Sequence, residues 1–473
     1  MTTDDVRTFF EPRGVAIVGA RSNLGFGYGI PIMLKQQGWS DRLRLVNPSV
    51  DELHGLPVYK SVAEVPDPVD LAVVLVPASL VPKMLDEIGE RGIRHAIIES
   101  AGFAEIGDSG RRLQDQATEA ARKHGIRVIG PNCVGLVNTS NNFSTVEIIE
   151  EALVPGSSSI IAQSGVFGNC LLDLLHEFRL YVAKAVTLGD RMDVNECDIL
   201  DFLKDDPDTK AIMMYLEGAA DGIRLRSALE EVTRTKPVLV LKSGRTPAGS
   251  AATSSHTGSL SGEDELYDAV FTQTGTIRAA NLESLVEMTR MLSTQPVPKG
   301  KRLGIVTSSG SLGVMATDTA VGYGLEVPPL PEAVAKKIRR DAPEWMNVKN
   351  PLDVGPSGIY AKALEAMLQD PDIDMVLAIT IIPYAIFREL EKMGFDGSAW
   401  FGDIAEFKKA APDKPLAVCP MGHSGFVSHM SRIAGPDVPV YLSPEPAARA
   451  LAAHYHYWTW RAGSGQGGFR QCY

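Results

Sequence analysis

Three observations in this sequence predict an α/β protein of three doubly wound domains. Short apolar runs rich in Val, Ile and Leu recur along the chain, each ending on Gly, Pro or Ser. Helix-like segments separate them. One phrase of strand, small residues and helix occurs twice, as IIAQSGVFG (160–168) and GIVTSSGSLG (304–313). A brief run that is apolar throughout reads as a parallel strand covered on both faces, and alternation with helices makes the doubly wound arrangement. At 473 residues the chain is also too long for one core.

The first set of strands is GVAIVGA (14–20), LRLVNP (43–48), LAVVLVPA (71–78), HAIIESAGF (95–103) and RVIGPN (127–132). Between them, VPKMLDEIGERG and SGRRLQDQATEAARKHG each end at glycine after a basic residue, a helix stop signal. This set makes a Rossmann-like domain over 1–130. An irregular link near NNFSTVEIIEEALVPGS leads to the second set: SSIIAQSG (158–165), VAKAVTLG (182–189), AIMMYLEG (211–218) and PVLVLKSG (237–244), in a domain spanning 131–297. QPVPKGK (295–301) reads as a linker. The third set is RLGIVTSS (302–309), MVLAITIIP (375–383), PLAVCPMG (415–422) and VPVYLSPE (438–445), within 298–473. The shared phrase makes the second and third domains related to each other. SGQGGFRQCY at the end reads as a loose tail.

Composition excludes several classes. A net charge of -12 argues against broad binding to nucleic acid or an anionic membrane. The start, MTTDDVRTFFEPRG, lacks the basic and apolar regions of a secretory signal, and no apolar run approaches the length of a spanning helix. The five cysteines, Cys133, Cys170, Cys197, Cys419 and Cys472, form no CxxC pair. A reducing cytoplasm is expected, with no disulfide framework and no metal site.

Ligands of open α/β sheets bind beyond the carboxyl ends of the strands. After the first strand, GARSNLGFGYG (19–29) leads into a helix near Gly29. Its amides and the helix dipole can hold a phosphate, or the turn is simply structural. The second strand ends in VNP, with no acid to grip a ribose, which disfavours a nicotinamide dinucleotide. Ser164 and Gly165 fall where a helix starts, either as a phosphate site or as an ordinary cap. Glu217 ends AIMMYLEG: it can orient an imidazole, or it is a solvated strand-end acid. His256 sits in GRTPAGSAATSSHTGSLSGED (244–264), which has no large apolar residue before Leu260. Such a run lacks the surface to offset its ordering entropy and is expected to be a mobile arm. Its histidine is either idle or carried to a reaction centre. Cys133 reads as a small residue in a tight turn, and Cys170 and His176 as helix filling.

Several stretches taken together resemble one family. They are VAIVGARS (15–22), PVDLAVVLVPA (68–78), SAGFAE (100–105), GPNCVG (130–135), AQSGVFG (162–168), TLGD (187–190), YLEG (215–218), LKSGRT (241–246), SSHTGSLSG (254–262) and NPLDV (350–354). In this order they resemble the α subunit of the nucleoside-diphosphate-forming acyl-CoA synthetases, the acetate–CoA ligase (ADP-forming) type within the succinyl-CoA synthetase superfamily. The resemblance implies a CoA-binding Rossmann-like domain followed by two flavodoxin-like, succinyl-CoA ligase-like domains. It implies that coenzyme A lies along Gly19, Ala20, Arg21, Ser22 and Pro48, with its pantetheine by Val76, Pro77, Ser100, Ala101 and Gly102. His256 would be phosphorylated, with Glu217 holding its imidazole and Ser164, Gly165 and Val166 holding the phosphate. Asn132 and Cys133 would lie near the acyl site.

The implied chemistry converts a small carboxylic acid, CoA and ATP to acyl-CoA, ADP and phosphate through phosphohistidine and acyl phosphate. No GxxxxGK[ST] loop and no ATP-grasp-like segment is seen, so the resemblance implies that ATP/ADP and Mg sit on an ATP-grasp β subunit in an α2β2 assembly. No tightly bound cofactor is expected on this chain. The sequence departs from the family at Ser311-Leu312, where a glycine pair is usual, at Asp190, where Asn is common, and at Asn195, where an acid is common. These leave the acid open. The alternative from another class is a non-catalytic CoA-binding sensor or scaffold; a nicotinamide oxidoreductase is the third reading.

Overall fold

The computed structural model describes the chain apart from residues 1–2, 26, 149, 166–169, 258–262, 395–397, 464–470 and 472–473. Val166, Cys472 and most of the expected tail thus lie outside the described residues. Two compact units are present, Met1–Arg278 and Ala279–Tyr473.

The first unit holds two sheets. In the first are β1 (Val15–Val18), β2 (Leu43–Val46), β3 (Glu52–Leu53), β4 (Leu56–Tyr59), β5 (Leu71–Val74), β6 (His95–Ile98) and β7 (Arg127–Ile129), ordered β3-β4-β2-β1-β5-β6-β7. Only the β3–β4 pairing is antiparallel. Taken in chain order, the parallel strands have the 3-2-1-4-5-6 arrangement of a Rossmann sheet. Register is level: Val18 pairs with both Val46 and Val74, so the chain leaves all three strands at one height. β1 and β5 are buried at every position because helices cover both faces. One such helix, Val81–Glu90, buries Val81, Leu85 and Ile88 on one stripe. Each contributes on the order of 2 kcal/mol through apolar area removed from water. Another, Asp108–His124, stops at Gly125, whose φ of 63° continues the chain in the left-handed region.

The second sheet comprises β8 (Leu136–Asn138), β9 (Phe143–Ser144), β10 (Ser158–Ala162), β11 (Val182–Thr187), β12 (Ala211–Leu216), β13 (Val238–Lys242) and β14 (Ile277–Arg278), ordered β14-β13-β12-β10-β11-β8-β9. Its parallel strands follow the 2-1-3-4-5 order of a flavodoxin-like fold, and β8 and β9 extend it antiparallel. The two sheets share a core. Phe10 stacks on Phe202 at 5.2 Å, and Trp39 lies 4.6 Å from Phe143 while its indole N–H donates to the Asn142 carbonyl.

The second unit carries β15 (Leu303–Thr307), β16 (Leu352–Asp353), β17 (Met375–Ile381) and β18 (Leu416–Met421), all parallel, ordered β16-β15-β17-β18. This 2-1-3-4 order repeats that of the second sheet. Helix Leu282–Thr294 belongs here and packs on helix Pro444–Ala462, with Arg449 bonded to Glu287 at 2.7 Å.

Every strand expected for the first two sheets is present. The expected strand at 438–445 is not: it makes one isolated bridge, Val418 to Val440. Pro439 has no N–H for a ladder, and Ser443-Pro444 already caps and opens the last helix. The link over 141–157, expected to be irregular, contains β9. Among the described residues no helix is long and apolar enough to cross a membrane.

One buried charge pair holds the second sheet's periphery. Lys184 on β11 meets Asp206 at 2.8 Å with both side chains almost fully enclosed. Asp206 also accepts from the Thr209 hydroxyl. Removing the acid leaves the enclosed ammonium only Asp208, a more exposed carboxylate at 3.1 Å. Asp206→Ala should therefore lower stability by about 3 kcal/mol in urea unfolding, whereas a loss below ~1 kcal/mol, typical of a solvated surface pair, would contradict this reading.

Candidate functional site

At the Rossmann sheet's switch point, between β1 and β5, four turns open at one edge. Gly19 has φ 92°, and a side chain there would stand 3.1 Å from the Val76 nitrogen, so only glycine lets the two turns close up. The Ala20 carbonyl accepts from the Asn47 amide at 2.6 Å, which ties the turn to the end of β2. Arg21 is half-buried and Ser22 and Pro48 are exposed. The Ser100 hydroxyl donates to the Val76 carbonyl at 2.5 Å, drawing the turns after β5 and β6 together. Pro77 and Ala101 stay exposed, and Gly102 donates its N–H to Glu105 Oε1. The sequence-derived residues of this group therefore lie on turns that leave the sheet at one edge. The amide at Gly29, where the short helix begins, is engaged differently from the sequence expectation: it donates to Glu147 Oε1 at 2.5 Å. A carboxylate from the following domain takes that position, which favours any anion.

The second sheet's switch point lies between β10 and β12. Ala162 pairs with Tyr215, so the turn holding Ser164 and Gly165 emerges beside Glu217. Gln163 binds the two ends together. Its Oε1 accepts the N–H groups of Glu217 (2.7 Å) and Gly218 (3.2 Å), and its Nε2 donates to the Gly218 carbonyl (2.8 Å). Arg191 donates to the same carbonyl at 2.8 Å and to Glu196 at 3.3 Å. Glu217 is buried, which removes the reading of a solvated strand-end acid. Ser164 and Gly165 are half-buried, and the next described helix is Cys170–Glu177, of which Cys170 is exposed rather than filling.

β13 delivers the segment that bears the histidine. Lys242, its last residue, is buried, donates to the Glu217 carbonyl at 2.9 Å and lies 4.6 Å over the Tyr267 ring. Burial pulls its ammonium down to about 8. Within the run expected to be a mobile arm, Pro247–Thr257 is an α-helix. Thr246 caps it, its hydroxyl accepting the Gly249 N–H at 3.1 Å, and Pro247 takes the first helical position. Alanines then give helix propensity without apolar bulk. His256 belongs to this helix; its side chain lies outside the described residues. The helix packs against the turn Ala104–Ile106, close to the crevice of the first sheet. Asp264 accepts from Arg278 at 2.6 Å and lies 4.0 Å from Arg245, so the segment leaves and returns at one place.

Asn132 and Cys133 sit between the two sheets. Asn132 is held at φ 58° with its N–H on the Ser100 carbonyl (3.0 Å) and its side-chain amide on Asp190 (3.3 Å). Cys133 is buried, with its thiol donating to the Ile98 carbonyl. Burial, then the charge of Glu99, pushes that thiol far up, so it stays protonated and is no nucleophile. Glu99 is itself buried and raised well above the carboxylate range, by burial and then by Glu147. Burial, followed by the adjoining Glu105 carboxyl, pushes Asp190 up to about 7. Among the described residues no group of His, Cys, Asp and Glu is arranged to hold a metal.

Sequence reasoning missed Gln163, Arg191, Lys242 and Glu99. Gln163, Lys242 and Glu99 are polar residues at the ends of otherwise apolar runs, a signal that was readable; Arg191 left none.

Two measurements check this geometry. Folded Asp190 keeps its proton at pH values where an unfolded aspartate, titrating near ~3.9, has lost it. The stabilisation from the protonated carboxyl is therefore full in acid and falls as pH rises to about 7. Asp190→Asn should gain stability relative to the parent across that interval and no more above it, read from urea midpoints; a pH-independent difference would refute the burial. Thr246→Ala removes a cap worth about 1 kcal/mol, so amide exchange within Pro247–Thr257 should accelerate roughly fivefold; unchanged exchange would mean the cap is idle.

Residues 13–139 match a family described as CoA binding domain, and residues 155–292 match the succinyl-CoA ligase like flavodoxin domain. The chain is 34% identical over 467 residues to the α subunit of acetate–CoA ligase (ADP-forming) I of Pyrococcus furiosus, covering 97% of this chain and 98% of that one. It is also 34% identical to acetate–CoA ligase (ADP-forming) II of Archaeoglobus fulgidus over 95% of its own length, but spans 66% of that longer protein. A solved structure, dinucleotide-forming acetyl-coenzyme A synthetase 1 of Ca. Korarchaeum cryptofilum in complex with phosphate and ADP, superimposes with a TM-score of 0.89 at 29% identity, covering 98% of each chain.

Proposed function

Because this chain belongs to the ADP-forming acid–CoA ligase family and matches an α subunit end to end, we propose that it is the α subunit of an acyl-CoA synthetase working with an ATP-grasp β subunit, two of each per assembly. The match to a free-standing α subunit carries this reading. The geometry supports it: two strand-end centres in one unit, a crevice on the first sheet and a polar switch point on the second, with a capped helix leaving β13 beside them.

In the synthesis direction His256 receives a phosphoryl group from ATP on the β subunit. Glu217 accepts a hydrogen bond from one imidazole nitrogen, so the other is the nucleophile. Ser164, Gly165 and Val166 hold the phosphoryl group in the turn after β10. A carboxylate oxygen then attacks phosphorus, the N–P bond breaks and acyl phosphate forms. The CoA thiol attacks the acyl carbon, its proton passing to the departing phosphate; the C–O bond breaks and hydrogen phosphate leaves. Coenzyme A lies along Gly19, Ala20, Arg21, Ser22 and Pro48, with pantetheine by Val76, Pro77, Ser100, Ala101 and Gly102, which leads its thiol toward Asn132 and Cys133. Cys133, with its thiol protonated and bonded to a carbonyl, shapes the acyl site and does not react.

Incubation of the chain with an ATP-grasp partner and γ-labelled ATP tests the proposal. The label should appear on this chain, resist base, be lost in acid, and be absent in His256→Ala. A chain that binds coenzyme A but takes no label is a sensor or scaffold.

A further inference from the structure

The turn Ala104–Ile106 has two neighbours within the first unit. It follows the stretch Ser100 to Gly102, and the histidine-bearing helix Pro247–Thr257 packs against it. One side chain holds its shape. Glu105 folds back so that Oε1 accepts the Gly102 N–H at 2.5 Å and Oε2 accepts the Phe103 N–H at 2.8 Å. Bonds from an N–H to a carboxylate are among the stronger ones a loop can make. A second tie comes from the helix Asp108–His124, where Gln114 Oε1 accepts the Ala104 N–H at 3.1 Å.

The Glu105 carboxyl also completes a ring of contacts around the same stretch. The Ser100 carbonyl accepts the Asn132 N–H, the Asn132 side-chain amide donates to Asp190, and the Asp190 carboxyl adjoins that of Glu105. Ala101 is exposed, and Gly102 and Glu105 are half-buried, so a ligand laid along this stretch reaches them. A backbone N–H has one hydrogen to give. An amide carbonyl of pantetheine that comes to Gly102 therefore competes with Glu105 for it.

We propose that Glu105 is a positioning residue that couples coenzyme A to the histidine-bearing helix: a pantetheine carbonyl takes the Gly102 N–H, Glu105 loses that tie, and the seat under Pro247–Thr257 loosens. Gln114 keeps its own tie, so the seat relaxes without dissolving. The inference rests on the ligase reading, which puts pantetheine along Ser100 to Gly102 and gives the helix a reason to leave. Coupling of this kind is reciprocal, so the seated helix weakens coenzyme A binding by the factor that coenzyme A unseats the helix.

Amide exchange within Pro247–Thr257 is followed in the full chain alone, with coenzyme A, and with adenosine 3′,5′-bisphosphate, which carries the nucleotide end without pantetheine. Coenzyme A should speed exchange about fivefold, and the bisphosphate should leave it unchanged. In Glu105→Ala the helix should exchange fast already and ignore coenzyme A. Calorimetry should show coenzyme A bound about fivefold more tightly by that variant, because its competitor is gone, and the bisphosphate bound as in the parent. A Glu105 that only props the loop would weaken coenzyme A instead. Unchanged or slower exchange with coenzyme A in the parent overturns the coupling, whether or not the variant folds. So does an equal response to the bisphosphate, or coenzyme A affinity in Glu105→Ala that is equal or lower. A chain labelled on His256 whose helix ignores coenzyme A keeps the ligase reading and loses this coupling. A helix that responds in a chain that takes no label does the reverse.

Discussion

One side-chain amide sets the geometry on which the account depends. Gln163 reaches from the end of β10 to the end of β12 and satisfies two N–H groups and one carbonyl there. In a flavodoxin-like sheet these are the two strands between which the order reverses, where the connecting helices diverge and a crevice must open. Backbone groups at such an edge have lost their ladder partners and sit out of water, so each needs another partner. Gln163 supplies it, and by doing so it fixes the direction in which the chain leaves β12 at Glu217. Arg191 and Lys242 bond to the neighbouring carbonyls and make the tip rigid. The carboxylate proposed to orient the imidazole of His256 thereby stands on a rigid base.

The rest of the first unit brings other groups to that place. Level register in the Rossmann sheet puts the turns after β1, β2 and β5 at one edge. Asn132 joins the two sheets: its backbone holds Ser100 of the first, and its side chain holds Asp190 of the second. The helix Pro247–Thr257 touches the turn Ala104–Ile106, so the histidine-bearing segment belongs to the same neighbourhood. Three carboxyls, Glu99, Glu105 and Asp190, lie close by in poorly solvated surroundings, which keeps Glu99 and Asp190 protonated longer than free acids.

Much of this was legible in the sequence because parallel strands buried on both faces leave unbroken apolar runs. VAIV, LAVV and HAII are such runs, and each became a strand. β3, β9, β14 and β16 are two residues long and leave no period to read. VPVYLSPE has strand composition, but Pro439 and the cap at Ser443 override it. The helix in the histidine segment was not legible from its lack of apolar side chains. Helicity there comes from the Thr246-Pro247 start and from alanine, local signals that burial arguments ignore. Residue types at the site were legible from strand ends, whereas pairings such as Gly29 with Glu147, 118 positions apart, depend on how two domains fold together.

The central claim is that Gln163 holds Glu217 where an imidazole can be phosphorylated. Rapid-quench measurement of the rate at which the ATP-grasp partner and ATP phosphorylate this chain, comparing the parent with Gln163→Ala, tests it most directly. The account predicts a rate lower by about a hundredfold with coenzyme A affinity unchanged. Equal rates in the two proteins would contradict it.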